Sequence, residues 1–540
     1  MQDTALISER SVKPTMPSMV SSLYPRARED RVSPRDPVIR KARHAFLKAS
    51  ATNFLLLQLL FLGLFCYIFG SLFQQTSHTH NLGIVLVDYD GGAVGRAIRS
   101  AYASLQGNSF PSLIERSPSD FPSTGELWEA VCQTQYSAAL YVNPGASARL
   151  EAALAADSAT TSSYNATDVM AYIWNEALYP QIIDASISSN IQLLSDTARI
   201  AYTTANGTGN LVSISSPSAL TVLARPWHLQ SINIQPTAQG SRAIYNTVAI
   251  ILVLIQEFFY LGTINGLYAQ FKLYSRLDPI RIAAMRNLNS LAYTLVGSLC
   301  VSGAIWAFRS GWGVNGNQFA LGWATLWLFA HVNFLVLDVV TVWMPVGYVP
   351  MALVSWIILN ITSVLLPFEL SPGFYRVGYA LPAHEVYQVL TDIWSGGCNP
   401  QLRYALPVLF AWEVVGLVVS GLGVFRRCHF ATVAEERQAR EFEERIDAAV
   451  ALEMSKMEEV RKRQLRGVSG SGGGDSVETR DEEEEEAETF REQLAAVIER
   501  VNTRQRREDE KKGVPCSFGP SFDLPFSPRR ESDESTAVDR

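Results

Sequence analysis

Three carboxylates lie inside long apolar runs: Glu257 in "AIILVLIQEFFYLGTING", Asp338 in "HVNFLVLDVVTVW" and Glu413 in "LFAWEVVGLVV". At the centre of a bilayer a carboxylate costs at least ~2.5–3.5 kcal/mol, so such a residue marks a candidate functional site. The chemistry it offers is proton exchange, because a carboxyl group buried without a cation can hold and release a proton. His331 stands seven residues before Asp338, two helical turns away on the same face. By the charge pattern no Lys or Arg lies deep enough to neutralise these acids. The competing reading makes them packing residues: Glu413 lies two to three turns into its run and Asp338 near one end. Asn53, Asn265, Asn289, Asn333 and Asn360 suit hydrogen bonds between helices better than ligand binding.

The elements that must position these residues are membrane helices. The 540-residue chain is 48% hydrophobic and 18% charged overall, but the charge is concentrated at its two ends. Six segments approach the ~20 apolar residues needed to span a ~30 Å hydrocarbon core. They are Ala51–Phe73, Tyr245–Gln270, Leu288–Phe308, Gln318–Trp343, Val349–Leu366 and Tyr404–Phe425. The expected fold class is therefore a membrane α-helical protein with six transmembrane helices. An α/β domain is expected at 74–244, between the first two, and residues 245–425 form a five-helix membrane domain.

Basic residues set the orientation. Arg31, Arg35, Arg40, Lys41, Arg43 and Lys48 precede the first span. Lys272, Arg276, Arg281 and Arg286 separate the second from the third, and Arg426 and Arg427 follow the sixth. The opposite loops hold only Arg309, Arg376 and Arg403. The positive-inside rule then places both termini in the cytosol and 74–244 outside. Asn165-Ala-Thr and Asn206-Gly-Thr fall in that outer region as glycosylation acceptors, while Asn360-Ile-Thr lies within a span. The first span is too long and too far from the N-terminus for a cleaved signal peptide, and reads as a retained anchor.

Within the outer region, "NLGIVLVDYDGGAVGRAI" (81–98) reads as strand, glycine turn and helix, the arrangement that often holds a phosphate. Its glycine spacing does not match G-x-G-x-x-G, and no G-x-x-x-x-G-K-[ST] occurs in the chain. The turn is expected to be structural. A Ser/Pro-rich connection then runs to Phe121. A helix around Leu127, Val131 and Cys132 follows, then a strand at 138–142 and a turn at Pro144-Gly145. Residues 168–203 read as one long amphipathic helix with Ile173, Leu178, Ile182, Ile187, Ile191 and Leu194 along its stripe, before a strand at 228–234.

"LGIVLVDYDGGAVGRAI", followed by "QYSAALYVNPGASARL" and a long helix, resembles the outer domain of ABC-2-type exporter permeases and phage-infection-protein-like membrane proteins. "SLFQQTSHTHNLGIVLVDYDGGAVGRAI" and "FYRVGYALPAHEVYQVLTDIW" (374–394) are closer still to the fungal nitrosoguanidine-resistance proteins, a permease-like family. The resemblance covers residues 45–430 and excludes both tails. It implies a part in drug tolerance, by export or by lipid organisation, and supplies no catalytic motif.

The external segment 367–403 is aromatic-rich and too polar to span. Its 382–394 part, with Val386, Leu390 and Ile393 on one side, reads as an interfacial or re-entrant amphipathic helix. His384-Glu385 lacks the second histidine of H-E-x-x-H, since residue 388 is Gln, so the pair is expected on a polar rim. Cys66 and Cys300 lie in spans, and Cys428 and Cys516 on the cytosolic side. Cys132 and Cys398 share the oxidising side and can pair, and no spacing suggests a metal.

Residues 1–50 form a basic N-tail expected to be disordered. The cytosolic region 426–540 is charged throughout. A helix at 433–466 extends the last span, with a thin coiled-coil seam of Phe442, Ile446, Val450 and Met454. A glycine-rich linker, the acidic block 481–486 and a second helix at 490–504 come after it. The reading is a non-enzymatic, multi-pass membrane protein without a cofactor, placed at the plasma membrane with an endomembrane as the alternative. Its expected partners are membrane lipids, a toxic small molecule as substrate, a second copy of the chain and a cytosolic protein on the tail, with no nucleic acid. The alternative is a scaffold or regulator of lipid asymmetry or of other transporters.

Overall fold

The computed structural model describes residues 37–155, 164–210, 217–237, 248–309 and 313–467, together with residue 489. Helix α1 (Pro37–Ser71) carries an apolar stretch, His44–Ser71, long enough to cross a membrane. The helix starts at Pro37, so 37–50 is helical where a disordered tail was expected. Proline suits the first helical turn because the amide it lacks would have no partner there.

The sheet domain follows, built from β1 (Gly83–Asp88), α2 (Ala93–Leu105), β2 (Ser112–Arg116), α3 (Thr124–Cys132), β3 (Ala138–Val142) and α4 (Ala146–Ala155). After these come β4 (Met170–Trp174), α5 (Ser189–Asn210), α6 (Pro217–Ala224) and β5 (Gln230–Asn233). The strand order is β2-β1-β3-β4-β5, parallel except where β3 meets β4. The run Ile84–Val87 is buried on both faces. Ile84 and Leu86 pack with Val94, Ile98, Ile191 and Leu194, and Val85 and Val87 pack with Leu127 and Val131. Helices thus cover both sides, which is why the strand is a continuous apolar run instead of an alternating one.

Two expectations change here. The connection before Phe121 contains β2. The stretch 168–203 is also not one helix, since its first part is β4. A helical turn at Pro180–Ile183 and a π-helical turn at Asp184–Ser188 then lead into α5. The residues of "MAYIW" are buried on both faces, and their β-branched and aromatic character favours the sheet over the helical stripe.

The membrane region comprises α7 (Ala249–Gln270), α8 (Pro279–Ala307), α9 (Gly316–Trp343), α10 (Val349–Leu365), α11 (Pro382–Trp394) and α12 (Leu402–Gly467). Among the described residues, five helices are long and apolar enough to cross a membrane: α1, α7, α8, α9 and α12. The sixth segment, α10, has 17 residues, or about 26 Å at ~1.5 Å per residue. The protein is a multi-pass membrane protein. Helix α12 runs without a break through the predicted tail helix, with Ile446 buried and Phe442 exposed. The acidic block and the helix at 490–504 lie outside the described residues.

Helix α11 departs most from expectation. All its residues except Ile393 are buried, including His384 and Glu385, so it has no polar rim. It packs among α9, α10 and α12, and its polar side chains are buried because they find partners there. The His384 Nδ1 pairs with the Ser363 carbonyl at 3.1 Å, and the Asp392 carboxylate accepts from the Asn399 amide at 3.1 Å.

Candidate functional site

Helix α8 begins nine residues before the apolar run that defined its span. Asp278 caps it, accepting from the Ile280 amide at 2.9 Å, with Pro279 at the first helical position. Arg286, counted in the sequence as a loop cation, therefore sits two turns inside the helix. It is buried. Arg427, counted as following the last span, is also buried because α12 continues past it.

Both guanidiniums converge on Asp338 of α9. Asp338 Oδ1 accepts from Arg286 Nη2 and, at 2.9 Å, from Arg427 Nη1. Its Oδ2 accepts from Ser420 at 2.5 Å. Arg286 also donates to Asn265 of α7 at 2.6 Å and to Tyr274 at 3.2 Å, and Arg427 donates to Thr341 at 2.7 Å. The expectation that Asp338 lacks a cation is thus corrected. Four helices are pinned at this point, and a carboxylate facing two guanidiniums stays ionised and holds the cluster together.

His331 pairs with a different acid from the one its spacing suggested. Its Nδ1 lies 2.6 Å from Glu413 Oε1 of α12, and its Nε2 lies 3.1 Å from Ser290 Oγ of α8. The Ser290 hydroxyl is 2.9 Å from the Asn287 carbonyl, to which it can donate. When it does, Ser290 Oγ accepts from the ring Nε2–H, and Nδ1 faces Glu413 Oε1 across the short contact. Glu413 Oε2 has no hydrogen-bond partner among the described residues.

Glu257 of α7 is fully buried, and neither of its carboxylate oxygens has a hydrogen-bond partner among the described residues. It lies eight residues, about 12 Å along the helix, from Asn265 in the arginine cluster. Of the asparagines, Asn265 meets Thr341 at 3.4 Å and Asn333 accepts from Trp356 at 2.9 Å. Asn360 accepts from the Ala383 amide at 3.1 Å. Asn53 bonds within its own helix, to the Ala49 carbonyl.

In the sheet domain, the 81–98 turn is occupied by the chain itself. Asp88 Oδ1 accepts from the Gly91 amide at 2.9 Å, and Asp90 takes the Gly92 amide at 3.2 Å. Ser147 Oγ takes the Val94 amide at 3.0 Å, and Arg99 pairs with Asp88 and Glu115. A Cβ at Gly95 would overlap the Asp88 carboxylate. The amides that would hold a phosphate already face two carboxylates.

Cys132 and Cys398 form a disulfide between α3 and the turn after α11. The Tyr179 amide donates to the Tyr387 hydroxyl at 2.9 Å, a second link between the sheet domain and α11. Asn165 is exposed and caps the turn Ala166–Asp168, while Asn206 lies near the end of α5. Among the described residues no group of three or more His, Cys, Asp or Glu is placed to hold a metal ion.

The family described as a protein of unknown function, DUF3533, matches residues 53–418, more than half of the chain. The chain belongs to this family. The matched range holds Glu257, Arg286, His331, Asp338 and Glu413 but stops short of Arg427. An uncharacterized endoplasmic reticulum membrane protein of Saccharomyces cerevisiae is 29% identical over 145 residues, covering 24% of this chain. The match spans 28% of that relative's length. No solved structure matches.

Proposed function

We propose that this DUF3533 protein is a proton-coupled, permease-like membrane protein that raises tolerance to toxic small molecules by exporting them. The observation that carries this reading is Glu257, fully buried in an apolar helix with both carboxylate oxygens unpartnered. An ionised carboxylate so placed is costly, and a proton removes that cost. Proton binding and release at Glu257 is thereby tied to a change in its surroundings, which is what coupling requires. The His331–Glu413 contact places a second pair of acid–base side chains in the same bundle. The likeness of residues 45–430 to nitrosoguanidine-resistance proteins supplies the toxin as substrate class.

In this reading both termini are cytosolic, and the sheet domain, with Asn165 and Asn206 glycosylated, faces the lumen or cell exterior. Residence at the plasma membrane follows from the exporter role. The chain acts without catalysis, contacts membrane lipids, pairs as a homo-oligomer and carries a cytosolic partner on its tail.

The test is efflux of a nitrosoguanidine from liposomes containing the purified protein, with and without a pH gradient. Gradient-dependent flux supports the proposal. Absence of flux under both conditions rejects it in favour of a non-transporting protein that organises lipids or regulates other transporters.

A further inference from the structure

Where the sheet domain meets α11 there is a cavity of about 300 Å³ that the proton-coupling reading does not use. Its walls include Tyr136, Tyr179, Phe368 and Tyr379, and among the described residues Glu369 is the only charged one in the lining. Asn399 also lines it, is almost fully buried, and has an Oδ1 with no hydrogen-bond partner among the described residues.

The polarity of that oxygen is fixed by a chain of hydrogen bonds anchored on two backbone carbonyls. At one end the Asn399 Nδ2 donates to the Gln388 carbonyl at 3.0 Å, which can only accept. The same Nδ2 donates to Gln388 Oε1 at 2.8 Å. The Gln388 amide nitrogen therefore faces His384 Nε2, at 3.4 Å. At the other end His384 Nδ1 donates to the Ser363 carbonyl at 3.1 Å. Each bond requires the next, so His384 is the neutral Nδ1–H tautomer. Burial also lowers its pKa to about 4, consistent with a neutral ring. Turning the Asn399 amide over would set its oxygen against a carbonyl, so Oδ1 stays an acceptor.

The site is held in place from outside the cavity. Gly396 and Gly397 have φ of +71° and +99°, a left-handed turn that delivers Asn399. Cys398 is bonded to Cys132, and the Asn399 amide is held by Asp392.

We propose that this cavity binds a primary ammonium group carried on a small apolar body, the N–H donating to Asn399 Oδ1, the charge facing Glu369, and the body lying among the tyrosines and Phe368. A buried acceptor asks for a donor, a lone carboxylate asks for a cation, and aromatic faces attract an ammonium group. An anion would find no positive side chain among the described residues of the lining. The ammonium has two sources, a free arylalkylamine or the ethanolamine headgroup of a lipid.

The test is calorimetric titration of the purified full-length protein in nanodiscs with 2-phenylethylammonium chloride. In phosphatidylcholine discs the probe binds saturably, and Glu369→Gln weakens it by about tenfold. Glu369 is exposed, so that variant keeps the fold. The anion 3-phenylpropionate does not bind. In discs containing phosphatidylethanolamine, an equally large drop in probe affinity assigns the site to the lipid headgroup, and unchanged affinity assigns it to the free amine. No saturable binding in phosphatidylcholine discs, equal binding by Glu369→Gln, or equal binding of 3-phenylpropionate overturns the proposal.

Discussion

Asp338 and Glu257 are both fully buried carboxylates in neighbouring membrane helices, α9 and α7, yet their surroundings are opposite. Asp338 accepts from two arginines and a serine, whereas Glu257 accepts from no partner among the described residues. The first acid is satisfied as an ion and acts as a clamp. The second is satisfied only by a proton, which makes it the candidate for coupling. Burial of a charged residue type therefore does not by itself mark function, and the partners decide the role.

The largest expected effect comes from breaking the clamp. Asp338→Ala leaves Arg286 and Arg427 buried without their anion, at a cost of about 3–5 kcal/mol. Purified variant protein should show a much lower thermal midpoint, or fail to accumulate. Parent-like stability would erase the contrast, by showing that the two arginines reach water. The triple variant Arg286→Met/Asp338→Leu/Arg427→Met should recover most of the loss, because it removes the stranded charges along with the pair.

Opening the disulfide should come next. The bond joins residues 266 apart in sequence, and removal of such a link costs about 2–4 kcal/mol. Cys132→Ser/Cys398→Ser should loosen the sheet domain from α11, seen as faster proteolysis between β3 and β4. The arginine clamp should remain intact. Coincident loss of both regions would show that they unfold as one.

A smaller effect belongs to Glu385, which is buried on α11 with its pKa pushed up to about 7 by desolvation. Its folded-state pKa lies above the unfolded one, so the protonated form favours the fold. Stability from this residue is full below about pH 4.5 and declines as pH rises towards 7. Glu385→Gln should flatten the difference in thermal midpoint between pH 5 and pH 7.5. An unchanged slope would mean that Glu385 is hydrated.

The two regions also differ in how much the sequence revealed. Glu257 was legible because eight uncharged residues, Ala249–Gln256, precede it. The arginines are hidden in the sequence because they flank apolar runs, where the orientation rule assigns basic residues to loops. Asp278-Pro279, a helix-start signal, would have put Arg286 inside α8. The strand β4 was hidden because its apolar residues merge into the helical pattern that follows. Helix α11 resembled a surface element because its polar side chains gave no sign of the neighbours they bond. Those partners, Ser363 and Asn399, come from other elements and depend on the tertiary fold.

The most direct test of the contrast replaces Glu257 with glutamine, which keeps the shape and cannot exchange the proton. Purified Glu257→Gln should match the parent in thermal midpoint and surface level, while its efflux of a nitrosoguanidine from liposomes should no longer respond to a pH gradient. Gradient-driven efflux equal to the parent, at equal protein level, would contradict the account and make Glu257 a packing residue.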